Sequence, residues 1–206
     1  MGQSHERRVV CPLIAGVDEA GRGALAGPVT AAAAMLNPAV ADPGLTDSKQ
    51  LSATRREWFD GRIKMDAVAW ALGWASAAEI DAHNVLAATF LAMRRAVDAL
   101  PRRPGAVWID GNRAPDGIGA CRTVVGGDAL QPAISAASIL AKVARDREMV
   151  ALDARYPGYD LAANKGYGTA AHRQALAERA PTPAHRASFA PVARHQMPEQ
   201  ISLGDF

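Results

Sequence analysis

Residues 14–29 read IAGVDEAGRGALAGPV, and they organise the rest of the chain. An apolar strand runs into two adjacent carboxylates, Asp18 and Glu19, and four glycines from Gly16 to Gly27 keep the backbone uncluttered around Arg22. Charged groups beside a buried strand are costly unless something compensates them, and a cation would do so. Because glycine has no Cβ, a ligand can touch the main chain there. The stretch predicts a site for a metal ion and a phosphate ester.

The composition is that of a globular protein. The chain has 206 residues, which fits one domain that buries about 70% of its unfolded surface. Its 49% hydrophobic and 21% charged residues are ordinary for this class. Cys11 and Cys121 form no disulfide framework, and no apolar run approaches the roughly 20 residues that span a bilayer. We expect a cytoplasmic protein without a membrane segment.

The charge is unevenly distributed although the net charge is only +2. Residues 142–195 hold nine Lys and Arg against five Asp and Glu, and the remainder is slightly acidic. An acidic centre beside a basic C-terminal part would suit metal ions bound next to a phosphate backbone. On charge alone, a chance fluctuation on solvated faces is the better interpretation.

Apolar runs and breaker residues predict a mixed α/β fold. Strands are expected at residues 9–18, 28–36, 67–75, 106–110 and 121–125, the first two forming a hairpin. Helices are expected at residues 53–64, from 76 to about 100 with a restart at Asn84, from 133 to about 154, and at 170–179. A hairpin followed by alternating strands and helices indicates a central mixed sheet with helices on its faces.

Three of these strands end in acid: Asp18-Glu19, Asp110-Gly111 and Gly126-Gly127-Asp128. Ligands usually sit where strand ends meet at one edge of an α/β sheet. Four carboxylates gathered there would not all stay ionised without a cation, because like charges raise one another's pKa. Mg²⁺ is the natural partner, and two such ions would support in-line phosphoryl displacement.

One geometric problem concerns Asp18 and Glu19. Adjacent residues of a regular strand point to opposite faces, so an ideal strand cannot aim both side chains inward. Either the nearby glycines permit a bend or bulge, or Glu19 reaches around the sheet edge. Both solutions stay open at this point.

Five blocks of sequence together resemble the prokaryotic ribonuclease HII family. They occur in the family's order from about residue 13 to 192: GVDEAGRG at 16–23, DSK at 47–49, AASILAKV with RD at 136–146, KGYGT at 165–169 and HRASF at 185–189. The resemblance implies a ribonuclease H-like fold with a C-terminal helical segment, in one catalytic domain over residues 1–192. Residues 193–206 would be a flexible tail.

The resemblance also implies an activity. Members of the family hydrolyse the RNA strand of RNA–DNA hybrids and incise on the 5′ side of ribonucleotides embedded in duplex DNA. The products carry 3′-hydroxyl and 5′-phosphate ends. The cofactor implied is Mg²⁺ or Mn²⁺, with two ions in the reacting complex, and the protein is expected to act as a monomer.

The family's functional residues map onto this chain. Its four metal-binding and catalytic acids correspond to Asp18, Glu19, Asp110 and Asp128; its substrate-binding residues correspond to Gly21, Arg22, Gly23 and Tyr167. The 2′-hydroxyl distinguishes RNA from DNA, and the bare main chain of Gly21–Gly23 would contact it. Tyr167 would stack on the neighbouring sugar or base. Phosphate contacts are expected from Lys49, Lys142 and Lys165, although a solvated helix face is an equal interpretation of Lys142.

Two positions depart from the family pattern. Ala24 stands where proline is common, which loosens the loop without removing a chemical group. Asn164 stands where histidine commonly precedes KGY, so it can form hydrogen bonds but cannot carry charge.

The chain ends in QISLGDF, residues 200–206, which has the form of short peptides that dock on sliding clamps. A disordered tail is the simpler interpretation of so short a motif.

Two alternative functions are a resolvase or transposase with the same acids, and a non-catalytic nucleic-acid-binding module. The first should lack GRG and KGY, and the second should lack at least one acid; neither loss is seen.

Overall fold

The computed structural model describes residues 13–37 and 51–195. Expectations for residues 9–12, for Lys49 and for the 200–206 motif lie outside them. The strands are β1 Ile14–Ala20, β2 Val29–Met35, β3 Ala69–Ala75, β4 Ala106–Asp110 and β5 Cys121–Val124. The helices are α1 Ala53–Asp66, α2 Ala77–His83, α3 Val85–Asp98, α4 Gly127–Leu130, α5 Pro132–Arg155, α6 Leu161–Asn164, α7 Ala170–Glu178 and α8 Ala190–Ala193.

The five strands form one mixed sheet in the order β3-β2-β1-β4-β5. Strands β1, β2 and β3 pair antiparallel as a meander, which confirms the predicted hairpin. Strand β4 runs parallel to β1 and β5 runs parallel to β4, so the ends of β1 and β4 meet at one edge. This edge is where the sequence predicts the carboxylates.

Helices cover both faces of the sheet, and β2 is therefore buried along its whole length. Alternate residues of β1 and β4, including Val17 and Ile109, pack with α3 on one face. On the other face β2 packs against α1 and the long helix α5 around Phe59 and Leu140. Helix α5 lies so close to β1 that a Cβ on Gly16 would stand 2.1 Å from the Ala133 carbonyl carbon.

A smaller cluster joins the C-terminal helices to the glycine-rich loop. Leu25 and Ala26 of that loop pack with Met149, Tyr159 and Leu176. The backbone of Leu25 also donates to the Gly166 carbonyl at 2.7 Å, and Ala26 bridges to His185. Segments from three distant parts of the chain are thereby fixed beside the end of β1.

Most predicted elements are confirmed, including the split at Asn84, which caps α3 and adopts a φ of 70°. One prediction is wrong: Asp128 does not stand at the end of the fifth strand. It ends at Val124, and Asp128 lies in the first turn of α4 because Gly126, with a φ of 66°, turns the chain. No helix in the described part of the chain is long and apolar enough to cross a membrane.

Candidate active site

Asp18 and Asp110 lie on the same face of the sheet, at neighbouring positions of the adjacent strands β1 and β4. The last pair that joins β1 to β4 is Val17 with Ile109, so each carboxylate directly follows that pair. Val17 and Ile109 belong to the core on the α3 face, and alternation therefore directs Asp18 and Asp110 towards α5. Parallel pairing of two strands places two acids side by side.

Glu19 lines the same cleft, although as the next residue of β1 its side chain points to the face opposite to that of Asp18. Pairing of β1 with β2 is uninterrupted from Gly16 to Ala20, so β1 contains no bulge there. Glu19 nevertheless lines the cleft that Asp18 and Asp110 line. Strand β4 ends at Asp110, so the sheet has a free edge beside Glu19. The Glu19 side chain enters the shared cleft by reaching around this edge.

Asp128 approaches the acids from α4 rather than from a strand. The backbone N–H of Gly127, its neighbour in sequence, donates to Asp110 Oδ1 at 2.7 Å. The Asp128 carbonyl accepts from the Ser135 hydroxyl at 2.5 Å, which ties α4 to α5. Asp128 is buried beside this site, but it is absent from the walls of the cleft formed by Asp18, Glu19 and Asp110.

Burial, followed by the charges of Glu19 and Asp110, raises the pKa of Asp18 well above its ordinary value. Hydrogen bonds from the Glu19 backbone, at 2.7 Å, and from the Ser138 side chain oppose the rise. Mutual repulsion among buried oxygen donors is what a hard divalent cation relieves, so the donor set fits Mg²⁺ or Mn²⁺. Within residues 13–37 and 51–195, no three acidic, His or Cys side chains are already grouped closely enough to hold one ion.

The Gly21–Gly23 loop is held by a buried arginine. Arg186 is fully buried and donates from Nη2 to the carbonyls of Gly21 and Gly27, at 2.8 and 2.9 Å. Its Nη1 donates to the Arg22 carbonyl at 2.9 Å. Since the loop's carbonyls are turned to Arg186, the exposed Arg22 side chain and the surface of Gly23 are left to the cleft.

Tyr167 lies on the other wall of the cleft, with 41% of its surface exposed. The fully buried Arg145 lies under its ring and donates to the carbonyl of Lys165 at 2.9 Å. Asn164 bonds through its side chain to the Gly166 N–H at 2.7 Å and to the Tyr159 carbonyl at 2.6 Å. A neutral side chain therefore suffices to anchor the loop at this departure from the family pattern.

The predicted lysines are not equivalent. Lys142 lines the cleft, and its Nζ is paired with Asp146 Oδ1 at 2.6 Å. Lys165 lies outside the cleft, in a neighbouring groove between α1 and α5, with a backbone φ of 53°. Lys49 is outside the described residues.

The cleft has a volume of about 380 Å³. It joins most of the predicted site in one place, and its walls are formed by Asp18, Glu19, Ala20, Gly21, Arg22, Gly23, Asp110, Ser138, Lys142 and Tyr167. Of the predicted residues in the described part of the chain, Asp128 and Lys165 stay outside its walls. Carboxylates, bare backbone and an exposed aromatic ring in one cleft suit a metal-dependent reaction on a phosphodiester.

Sequence reasoning missed the residues that support the cleft: Ser138, Arg145, His172 and Arg186. Ser138 and Arg145 fall within the AASILAKV-RD block, and Arg186 falls within HRASF. These three residues lie in blocks that the sequence singled out, but their roles depend on contacts more than 100 residues away, such as Arg186 with Gly21. His172 lies outside the blocks, and its role depends on its contacts with Tyr167 and His185.

Comparison with known proteins gives a consistent result. The family model for ribonuclease HII matches residues 15–192. Ribonuclease HII of Halorhodospira halophila is 57% identical over 184 residues, which cover 88% of this chain and 93% of that protein. Ribonuclease HII of Laribacter hongkongensis is 56% identical over 183 residues, covering 88% and 92%.

Solved structures agree on the fold. Ribonuclease H2 from Pyrococcus horikoshii superposes with a TM-score of 0.78 at 25% identity, covering 89% of this chain and 96% of that one. Ribonuclease HII of Archaeoglobus fulgidus, solved in complex with PCNA, gives a TM-score of 0.64 at 23% identity, covering 94% and 100%. These matches confirm the ribonuclease H-like α/β fold. Because the family model spans most of the sequence and relatives above half identity carry the same description, the chain belongs to the ribonuclease HII family, endonucleases that act on RNA–DNA hybrids.

Proposed function

We propose that this protein incises duplex DNA on the 5′ side of an embedded ribonucleotide, in addition to cleaving the RNA strand of hybrids. The products would carry 3′-hydroxyl and 5′-phosphate ends. The observation that carries the proposal is the single cleft that holds Asp18, Asp110 and Glu19 opposite the Gly21–Gly23 loop and Tyr167. A cleaving centre and a ribose-reading surface belong to one site.

Recognition of the ribose falls to the glycine loop. No described atom lies within 4 Å of the place that a Cβ on Gly23 would take, so the main chain is open there to a close approach. The 2′-hydroxyl is both donor and acceptor, and it is the group that separates a ribonucleotide from a deoxyribonucleotide. The exposed Arg22 would meet an adjacent phosphate, and the Tyr167 ring would stack on the neighbouring nucleotide.

We propose that Asp18, Glu19, Asp110 and Asp128 hold Mg²⁺ or Mn²⁺, two ions in the reacting complex. A structural relative, Bst-RNase HIII, was crystallised with Mn²⁺ and matches with a TM-score of 0.66 at 18% identity, covering 89% of this chain and 69% of that one. The chemistry that such ions supply is activation of a water and neutralisation of charge on the phosphate. The hydrogen bond from the Ser138 hydroxyl favours the carboxylate form of Asp18 and opposes part of the rise in its pKa.

Positively charged side chains would position the duplex without reading its sequence. Lys142 lies in the cleft and would exchange its bond to Asp146 for a phosphate. Lys165, in the adjacent groove, and Lys49 are proposed for phosphates further along the strand.

We also propose that residues 1–192 form a single catalytic domain, which acts as a monomer and is followed by a tail that binds a sliding clamp weakly. The support is the QISLGDF sequence and the archaeal relative whose structure was solved with PCNA. Binding of the full chain to the sliding clamp, compared with binding after deletion of residues 199–206, tests this. Equal affinity of the two proteins would exclude the tail as the docking segment.

The activity is tested with a DNA duplex that carries one ribonucleotide, incubated with the wild-type protein and Mg²⁺ or Mn²⁺. We expect one nick, immediately 5′ of the ribonucleotide, with a 3′-hydroxyl that a DNA polymerase extends. The matched control is the same duplex with a deoxyribonucleotide at that position, which should stay intact. An intact ribonucleotide duplex, or a nick at another position, would contradict the proposal.

A further inference from the structure

Two buried histidines form a chain of hydrogen bonds that ends on Tyr167. His172 of α7 places Nδ1 at 3.0 Å from the Tyr167 carbonyl oxygen. Its Nε2 lies 3.1 Å from Nε2 of His185. His185 in turn places Nδ1 at 3.0 Å from the backbone nitrogen of Thr182. Neither histidine lines the cleft that contains Asp18, Glu19 and Asp110.

The fixed donors and acceptors at the two ends determine where the protons sit. The Thr182 N–H can only donate, so Nδ1 of His185 is an acceptor. A neutral imidazole carries one N–H, which in His185 must then be on Nε2, and this N–H points at His172. Nε2 of His172 is therefore the acceptor, and its proton is on Nδ1. That N–H donates to the Tyr167 carbonyl, which can only accept.

The pair is built to remain neutral. A second proton on His172 would set two N–H donors head to head between the Nε2 atoms. A second proton on His185 would turn an Nδ1–H towards the Thr182 N–H, again donor against donor. Burial, together with the neighbouring His172, lowers the pKa of His185 to about 4. Burial also lowers the pKa of His172. The aromatic ring of Tyr159 packs on His185, with ring centres 4.8 Å apart. One pair of tautomers therefore prevails at neutral pH.

The backbone at Tyr167 needs such an anchor because glycines flank it on both sides. Gly166 adopts a φ of 78°, a conformation that only glycine adopts readily. Without fixed partners this segment would carry the tyrosine ring through several orientations. The Thr169 N–H, at the N-cap of α7, also donates to the Tyr167 carbonyl at 2.8 Å. The bond from His172 ties the carbonyl to a helix.

We propose that His172 is a positioning residue for Tyr167, holding its carbonyl through Nδ1–H, and that His185 fixes the tautomer that makes this bond possible. The inference rests on the proposed function, in which the Tyr167 ring stacks on the nucleotide beside the scissile bond. Loss of the anchor weakens binding of the ribonucleotide duplex and spares the cleavage step, since the acids and the metals are elsewhere.

Two variants at position 172 separate positioning from packing. The side-chain nitrogen of asparagine falls near the place of Nδ1 and can still donate to Tyr167; that of glutamine falls near Nε2 and cannot. We expect His172→Gln to raise KM for the ribonucleotide duplex by about tenfold with kcat within about twofold, and His172→Asn to recover most of the wild-type KM. Phe59→Leu, a core change on the α1 side of the sheet, controls for loss of stability and should leave KM unchanged. Equal KM values for the two variants, whether raised or normal, would overturn the proposal.

A second measurement needs no variant and does not depend on activity. Long-range ¹H–¹⁵N correlation spectra of the wild-type protein at neutral pH should show His172 protonated on Nδ1 and His185 on Nε2. Two rings of the same tautomer, or a charged ring, would contradict the proposed chain of hydrogen bonds. If the wild-type protein failed to nick its substrate, the proposed function would be wrong, whereas these spectra would still show whether the chain of hydrogen bonds between the two histidines exists.

Discussion

The guanidinium carbon of Arg145 lies 5.5 Å from the centre of the Tyr167 ring, in a cation–π contact. Arg145 is fully buried, and its N–H groups donate to the carbonyls of Pro28, Ala26 and Lys165. A charge that is held this firmly gives the exposed ring a rigid base. One face of the ring is thus supported by the protein and the cleft side is left for a nucleotide.

Replacing Tyr167 by alanine removes the stacking surface and little else. Since 41% of the residue is exposed, we expect the free energy of unfolding to change by less than about 1 kcal/mol. Base stacking on an aromatic side chain is worth about 1–3 kcal/mol, so KM for the ribonucleotide duplex should rise by about tenfold. Steady-state kinetics with Tyr167→Phe as the matched control test this. An unchanged KM for Tyr167→Ala would remove Tyr167 from the substrate site.

Two glycines of the opening stretch should respond to alanine in opposite ways. At Gly16 a Cβ would meet the backbone of Ala133 at 2.1 Å, and overpacking of this kind costs about 1–3 kcal/mol or more. At Gly23 no described atom lies within 4 Å, so Gly23→Ala should unfold like the wild type.

Gly23→Ala should nevertheless nick the ribonucleotide duplex at least about fivefold more slowly at low substrate concentration, because the methyl group stands where the ribose approaches. Denaturant unfolding and nicking assays on both variants separate the two effects. A stable Gly23→Ala protein with wild-type activity would contradict the proposed role of the loop.

The Ser138 hydroxyl opposes the rise in the pKa of Asp18 by hydrogen bonding to its carboxylate. Ser138→Ala should therefore raise that pKa further, and a carboxylate must be ionised to bind a cation. We expect the acid limb of the pH profile of kcat/KM to move to higher pH. The remote helix-cap variant Ser76→Ala serves as the control and should leave the limb in place. Coincident profiles for the wild type and Ser138→Ala would refute this assignment.

The histidine pair should make stability depend on pH. His185 has a pKa of about 4 in the folded protein against 6.5 for a free histidine, so the unfolded chain binds more protons between these values. Stability is therefore complete above about pH 6.5 and falls by up to about 3 kcal/mol as the pH drops to about 4. Urea unfolding at a series of pH values should show a smaller loss for His185→Gln. Equal slopes for the wild type and the variant would show that His185 is not held neutral.

The sequence predicted the hairpin and the acids because both rest on local patterns. An apolar strand followed by a glycine-rich turn is visible in residues 14–29, and carboxylates beside a buried strand are costly unless something compensates them. Asp128 was misplaced on a strand end because Gly126 and Gly127 start a short helix, which is stabilised by contacts distant in sequence: Gly127 with Asp110 and Asp128 with Ser135.

The supporting arginines were not predictable from pattern alone. An arginine in a charged helix such as α5 normally faces solvent, and nothing local indicates that Arg145 is buried. Its acceptors, like those of Arg186, are carbonyls of loops brought near only by the complete fold. The family resemblance marked these positions without giving their role.

The account depends most directly on Asp110, whose Oδ1 accepts from Gly127 while its charge faces Asp18. Asp110→Asn keeps an acceptor oxygen at nearly the same volume and removes the charge. The decisive measurement is the single-turnover rate of nicking of a one-ribonucleotide duplex by this variant and by the wild type, at equal metal and with equal unfolding free energies. We predict a fall of about 1000-fold or more, equivalent to about 4 kcal/mol of transition-state stabilisation. Nicking by Asp110→Asn at the wild-type rate would contradict the account.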